Sequence, residues 1–153
     1  MMQTTLATSK STAAVLKIST LNLLLPQGDI RTLESASDVD PVSPAWSSAG
    51  WIKFREKRWP VYCLSDELTL MQRVPAERRA CAMLAMGSGY VGLLCDDIIV
   101  QKEFVAQRFE LPVAMKFPDT PIMYLVKYEE GIACVSNASQ LTIFIERLVA
   151  EAQ

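Results

Sequence analysis

Short apolar segments recur along the chain at intervals of about ten residues, and turn-forming residues separate them. The first, AAVLKISTLNLLLP, is followed by QGDIRTLE, and Pro26, Gly28 and Asp29 supply turn chemistry between two predicted strands. A helix from Leu16 to Leu25 is the alternative interpretation of this segment. The pattern as a whole indicates many short strands.

Residues 50–64, GWIKFREKRWPVYCL, predict a β-hairpin. Alternation places Ile52 and Phe54 on one face of the first strand, and residues 55–58 form a polar break. The apolar residues of the second strand also share a face: Trp59, Val61 and Cys63. Pro60 has no N–H group, which predicts an edge, a bulge or the start of pairing at this position.

The remaining apolar segments predict a second hairpin, further strands and one helix. LSDELTLMQRVPAERRA is expected to be irregular or helical, with residues 65–67 as a helix cap. RACAMLAM and YVGLLCDDIIV flank a turn at residues 87–89, and FELPVAM, IMYLVKY and IACVS follow as predicted strands. The last segment has helical spacing, with Asn137 or Ser139 as the N-cap. Its apolar positions are Leu141, Phe144, Ile145 and Leu148.

This organisation favours a mainly β domain, a small barrel or sandwich, that is closed by a C-terminal helix. The 153 residues fit one domain. Residues 1–12 are polar and small, so we expect a flexible tail before a single domain at 13–153. The loop that precedes the first hairpin contains Trp46 as a candidate anchor. No targeting signal or membrane-spanning run is apparent, which predicts a cytoplasmic protein without direct membrane insertion.

Composition restricts the chemistry that the chain can perform. The sequence contains no histidine, so Ser-His and Cys-His nucleophile pairs are excluded. The four cysteines are widely spaced in apolar segments, which favours buried free thiols, with a two-disulfide secreted domain as the alternative. GSGYVG lacks the Lys-Ser/Thr of a phosphate-binding loop, and Asp96 and Asp97 are expected to point to opposite faces of a strand. We therefore predict no catalytic, cofactor or metal site.

The basic and aromatic residues of the first hairpin allow three interpretations. They could bind single-stranded nucleic acid, with Trp51 and Trp59 as stacking platforms. The net charge of −2 and the pI near 5.2 argue against nucleic acid as the main partner. They could also form a solvated hairpin tip, or Arg55 beside aromatic surface could be a protein-protein hot spot.

The segment VDPVSPAW...GWIKFREKRWPVYCL resembles CheW-like chemosensory coupling domains. In that family a Pro-rich loop precedes a Gly-hydrophobic-x-x-hydrophobic-Arg-Gly turn and a Pro-Val/Ile-x-Asp-Leu strand. The matching residues here are Pro41, Pro44, Trp46, Gly50, Phe54, Arg55, Pro60, Val61 and Leu64. GSGYVGLLCDDIIV and GIACVSNASQL resemble later family segments, so the resemblance extends from Leu21 to Leu148. Two positions depart from the pattern: Glu56 replaces a glycine that favours positive φ, and Cys63 replaces an aspartate.

The resemblance implies two intertwined five-stranded, SH3-like β-barrels around a shared apolar interior, without catalysis or cofactor. It also implies an adaptor that joins the cytoplasmic tip of a chemoreceptor to the regulatory domain of a CheA-type histidine kinase, in chemotaxis or pilus-based motility. Gly50 and Arg55 match residues that face the receptor in the family. The predicted partner-binding residues are Gly50, Phe54, Arg55, Glu56 and Trp59. A small β-barrel that binds single-stranded nucleic acid is the alternative function.

Overall fold

A computed structural model describes residues 11–41, 47–104 and 107–152. In this part of the chain eleven strands precede one α-helix. The strands are β1 Ser11–Ile18, β2 Leu21–Pro26, β3 Ile30–Ser35, β4 Gly50–Phe54, β5 Lys57–Tyr62, β6 Ala80–Met86, β7 Gly89–Cys95, β8 Asp97–Phe104, β9 Arg108–Phe109, β10 Tyr124–Tyr128 and β11 Gly131–Val135. The helix, α1, is Ala138–Ala152.

The strands form two sheets, and the middle of the chain contributes one of them. One sheet has the order β3-β6-β7-β5-β4, and the other has the order β8-β1-β2-β11-β10-β9. Each contains one parallel pair, with Val61 opposite Gly92 in the first sheet and Leu23 opposite Cys134 in the second. The first sheet is therefore built from a continuous part of the chain, β3 to β7, that is inserted between strands of the second sheet.

The apolar interior lies in three clusters because central strands bury both of their faces. Leu16 on β1 and Leu93 on β7 face a cluster shared by both sheets and α1. Val15 faces a second cluster within its own sheet, and Leu94 faces a third cluster within the other sheet. Each curled sheet thus encloses its own small interior, and the two sheets share the largest one. The predicted fold class is confirmed, with six strands in one sheet because the two-residue β9 is added.

Helix α1 begins where two side chains accept hydrogen bonds from its first turn. Asn137 Oδ1 accepts from the Gln140 N–H at 2.8 Å, which confirms Asn137 as the N-cap. Asp29 Oδ2, more than a hundred residues earlier in the chain, accepts from the Ala138 N–H at 2.8 Å. Leu141 and Ile145 are buried against the shared core, so the predicted apolar stripe is the packed face.

The first apolar segment is two strands rather than one, and the alternative of a helix from Leu16 to Leu25 is wrong. A turn at Ser19 and Thr20 separates β1 from β2, and Ser19 has a φ of 55°. The Ser19 N–H donates to Asp96 Oδ2 at 3.1 Å. A distant carboxylate therefore stabilises a turn that contains neither glycine nor proline.

Two other sequence predictions are wrong. Residues 65–67 do not cap a helix, since Ser65 Oγ accepts from the N–H groups of Glu67 and Thr69 within an irregular turn. The predicted strand FELPVAM is reduced to β9 at its start, and Val113–Met115 forms a 3₁₀ turn after Pro112. Trp46 and residues 1–10 lie outside the described residues; β1 already begins at Ser11.

A buried ion pair joins the segments that connect the sheets. Asp96 lies between β7 and β8 rather than within a strand, and its Oδ1 is 2.9 Å from Nε of Arg78. The Arg78 side chain is 1% exposed, and its guanidinium also donates to the Leu64 carbonyl at 2.6 Å. The pair thus ties the β5–β6 connection to the crossing between β7 and β8.

All four cysteines are buried free thiols, as predicted. Burial raises the pKa of Cys81 to about 12 and also raises the pKa of Cys134. Desolvation likewise raises the pKa of Cys63, although Arg78 opposes it. Such thiols stay protonated near neutral pH and act as small apolar core residues.

Candidate functional site at the first hairpin

The hairpin formed by β4 and β5 turns at Arg55 and Glu56. Their φ angles are 53° and 66°, and Phe54 and Lys57 form the last pair before the turn. Two consecutive positive φ angles define a type I′ turn, whose twist matches that of the flanking strands. Each non-glycine residue in this conformation costs about 1 kcal/mol. Glu56 therefore adopts a positive φ at the position where the family pattern has a glycine.

Gly50 is the buried first residue of β4. It has a φ of 153°, and a Cβ atom there would lie 2.1 Å from the Asp40 carbonyl oxygen. The adjacent residue, Trp51, exchanges backbone hydrogen bonds with Asp40 at 2.7 and 2.9 Å. Because this close approach leaves no space for a side chain, Gly50 positions the base of the hairpin. Its predicted partner contact stays a prediction.

Three half-buried aromatic rings form a platform beside the turn, and we call Phe54, Trp59 and Tyr90 the aromatic platform. Tyr90 meets Phe54 and Trp59 edge-to-face, with ring centroids 4.9 and 5.4 Å away. The Trp59 indole N–H donates to the Phe54 carbonyl at 2.9 Å, which satisfies its polar atom. Gly89 lies against the Trp59 ring, where an added Cβ would be only 2.7 Å from a ring carbon. These contacts make the platform rigid.

Arg55 lies over this platform and is exposed. Its Nη1 donates to the Tyr90 hydroxyl at 2.9 Å, and its Cζ lies 5.2 and 5.5 Å from the ring centroids of Phe54 and Tyr90. Within the described residues Arg55 forms no ion pair. A guanidinium has five N–H donors, so most of them are free to bind a carboxylate. Glu56, the other turn residue, is exposed beside it.

The hairpin register separates the basic and aromatic residues into two faces. Ile52 pairs with Trp59, and Lys53 pairs with Arg58. Since adjacent strand residues point to opposite faces, Trp51, Lys53 and Arg58 lie on the face opposite Trp59. Arg58 contacts the Trp51 ring at 5.9 Å and pairs with Asp40 at 3.2 Å. The two tryptophans therefore do not form one continuous stacking surface.

The structure brings four of the five predicted partner-binding residues together at the exposed tip: Phe54, Arg55, Glu56 and Trp59. Sequence reasoning missed Tyr90, which it assigned only to a strand. The turn at residues 87–89 places Tyr90 at the start of the second strand of the β6–β7 hairpin, which the sequence does show. The contact between Tyr90 and Arg55 depends on the order of the strands in the sheet, which the sequence does not show.

The described residues contain no group of three or more Cys, Asp or Glu side chains that could hold a metal ion. In the same part of the chain, no helix has both the length and the apolar character needed to cross a membrane.

Comparisons with known proteins identify the family. A family model for the CheW-like domain matches residues 13–143. No curated protein matches the chain. The solved structure of the scaffolding protein TtCheW from Thermoanaerobacter tengcongensis has a TM-score of 0.61 and 18% identity, over 86% of this chain and 92% of that one. This similarity shows the same fold, and the family model covers most of the chain. The chain therefore belongs to the CheW-like domain family.

Proposed function

We propose that this protein is a non-catalytic cytoplasmic adaptor that couples a chemoreceptor to a CheA-type histidine kinase in chemotaxis or pilus-based motility. Membership of the CheW-like family supports this role. The cytoplasmic tip of the receptor and the regulatory domain of the kinase are the proposed partners, and no cofactor or nucleic acid is needed. The signal would then pass through protein contacts alone.

The observation that carries the proposal is the arrangement of Arg55 on the aromatic platform. Tyr90 holds one side of the guanidinium at 2.9 Å, and the type I′ turn fixes its backbone. Little conformational entropy is then lost when the free N–H groups bind a partner carboxylate. A charged group beside half-buried aromatic rings is typical of a protein-protein hot spot. Phe54, Glu56 and Trp59 would contribute the surrounding contacts, with Gly50 at the base of the hairpin.

The binding of single-stranded nucleic acid is less well supported. Stacking of successive bases needs aromatic rings along one basic surface, whereas Trp51 and Trp59 lie on opposite faces of the hairpin. The chain also carries a net charge of −2.

The test is a pull-down from native cytoplasm with wild-type protein, Arg55→Ala and Lys53→Ala, followed by mass spectrometry. Lys53→Ala is the matched control, because it removes one exposed positive charge from the other face of the same hairpin. We expect wild type and Lys53→Ala to retain a CheA-type kinase or a chemoreceptor, and Arg55→Ala to lose it. Truncating a hot-spot residue costs about 2 kcal/mol of binding free energy, which lowers the affinity about 30-fold.

Equal retention by all three proteins would remove Arg55 from the interface. Enrichment of RNA instead of a kinase or a receptor would favour the binding of single-stranded nucleic acid. The affinity for RNA should then fall steeply as the salt concentration rises. Thermal melting of each variant separates a lost contact from a lost fold.

A further inference from the structure

A groove beside helix α1 is lined by five separate parts of the chain: Leu21, residues 66–68, residues 114–122, Cys134 and residues 144–151. We call it the acidic groove, and its volume is about 670 Å³. Its lining includes Asp66, Glu67, Leu68, Phe117, Asp119 and Leu148. None of these residues belongs to the hairpin site, so the groove is a separate surface.

One wall of the acidic groove is a continuous stripe of α1. Phe144, Arg147, Leu148 and Glu151 all line it, at positions i, i+3, i+4 and i+7. At 1.5 Å per residue this stripe is about 10 Å long, or two helical turns. The floor is apolar, since Leu68, Ile122 and Phe144 also line the groove. Phe117 also lines the groove and is 47% exposed, so its ring adds accessible apolar surface to the floor.

The rim of the acidic groove carries excess negative charge. Four carboxylates line it: Asp66, Glu67, Asp119 and Glu151. Arg147 is the basic side chain in the lining, and it pairs with Asp119 at 2.6 Å. Among the described residues, no ion pair compensates Asp66, Glu67 or Glu151. Lys116, between Met115 and Phe117 in sequence, lines a different groove. An apolar floor of this length inside an uncompensated acidic rim complements an amphipathic helix with basic flanks.

We propose that the acidic groove binds a basic amphipathic helix of a partner protein. The apolar stripe of that helix would lie on Phe117 and Leu148, and its Lys or Arg residues would pair with the carboxylates of the rim. A neutral or acidic helix would bury apolar surface equally well but would leave the carboxylates unpaired or repelled. Charge therefore determines which helix the groove accepts.

The test uses fluorescence anisotropy with a labelled synthetic helix of about four turns, with Leu at i, i+3, i+4 and i+7 and Lys or Arg at the polar positions. A second probe has the same Leu pattern with Glu at the polar positions. The groove variant neutralises three carboxylates: Asp66→Asn, Glu67→Gln and Glu151→Gln. The matched control variant neutralises three exposed carboxylates outside the groove: Asp38→Asn, Glu77→Gln and Glu130→Gln.

We expect the basic probe to bind wild type and the control variant alike, and to bind the groove variant about tenfold more weakly. Phe117→Ala should weaken it several-fold without lowering the melting temperature, because Phe117 belongs to none of the buried clusters. The acidic probe should not bind.

Three results would overturn the proposal. The first is that the basic probe does not bind wild type. The second is that its affinity falls equally in both charge variants, which indicates unspecific electrostatic attraction. The third is that Phe117→Ala binds the basic probe with the affinity of wild type. Arg55→Ala should bind the probe as wild type does; a loss there would place the helix at the hairpin instead. That variant also keeps this test distinct from the test of the adaptor function.

Discussion

Neutralising Asp96 tests whether the buried ion pair holds the two sheets together. Asp96→Asn keeps the size of the side chain and the acceptor for the Ser19 N–H but removes the carboxylate that lies 2.9 Å from Arg78. Arg78 remains charged because its guanidinium does not lose a proton in proteins. A charge on a side chain that is 1% exposed then has no carboxylate partner among the residues that the structure describes. The variant should therefore be less stable.

The magnitude follows from the burial of the two partners. Removing one member of a fully buried pair costs about 3 to 5 kcal/mol. Asp96 is 24% exposed, and its contact with Arg78 Nε is close without being an aligned hydrogen bond, so the lower end applies. We expect a loss of about 3 kcal/mol, which moves the urea midpoint down by about 1.5 M for a slope near 2 kcal/mol/M.

The assay is urea unfolding followed by tryptophan fluorescence, with Asp97→Asn as the matched control. Asp97 is the adjacent carboxylate, is exposed, and accepts a hydrogen bond from the Ile98 N–H. Its neutralisation should cost less than about 0.5 kcal/mol. If Asp96→Asn destabilises no more than Asp97→Asn does, the ion pair does not secure the sheet crossing.

Three further predictions concern the hairpin and the core. Tyr90→Phe removes the hydrogen bond to Arg55, so the affinity for the partner, measured by calorimetric titration, should fall about three- to tenfold. The melting temperature should stay near that of wild type. An unchanged affinity would contradict the role of Tyr90 in positioning Arg55. Gly50→Ala should lower the free energy of unfolding by about 3 kcal/mol, measured by thermal unfolding, because the added Cβ would overlap the Asp40 carbonyl oxygen. A melting temperature equal to that of wild type would show that the backbone at the base of the hairpin shifts to accommodate the side chain. Because the pKa of Cys81 is raised from 9.0 to about 12, its contribution to stability is complete below pH 9 and is lost as the pH rises from 9 to 12. Urea unfolding at several pH values should show a steeper alkaline decline for wild type than for Cys81→Ala, and parallel declines would refute this.

The sequence predicted most accurately those elements whose signals are local. The β4–β5 and β6–β7 hairpins follow from alternating apolar residues and short polar turns. Helix α1 follows from helical spacing and a capping asparagine at residue 137. In each element, the residues that determine the structure lie within a few positions of one another.

Elements that depend on distant residues could not be predicted in the same way. The turn at Ser19 is stabilised by Asp96, which lies 77 residues later in the chain. Local signals can also favour the wrong element: the Ser65 side chain accepts hydrogen bonds from two nearby N–H groups in a turn as readily as it would cap a helix. The family resemblance supplied the barrel arrangement, because strand rhythm alone left barrel and sandwich open.

The composition of the candidate site was visible in sequence, but its geometry depends on sheet pairing. In the parallel pair of β5 and β7, Val61 lies opposite Gly92. Trp59 and Tyr90 each precede these residues by two positions, so the same register brings their rings to 5.4 Å. Tyr90 is then close enough to hold Arg55, 35 residues away in sequence. The orientation of the proposed contact residue thus depends on a crossover between two hairpins, which no periodicity within either hairpin could have predicted.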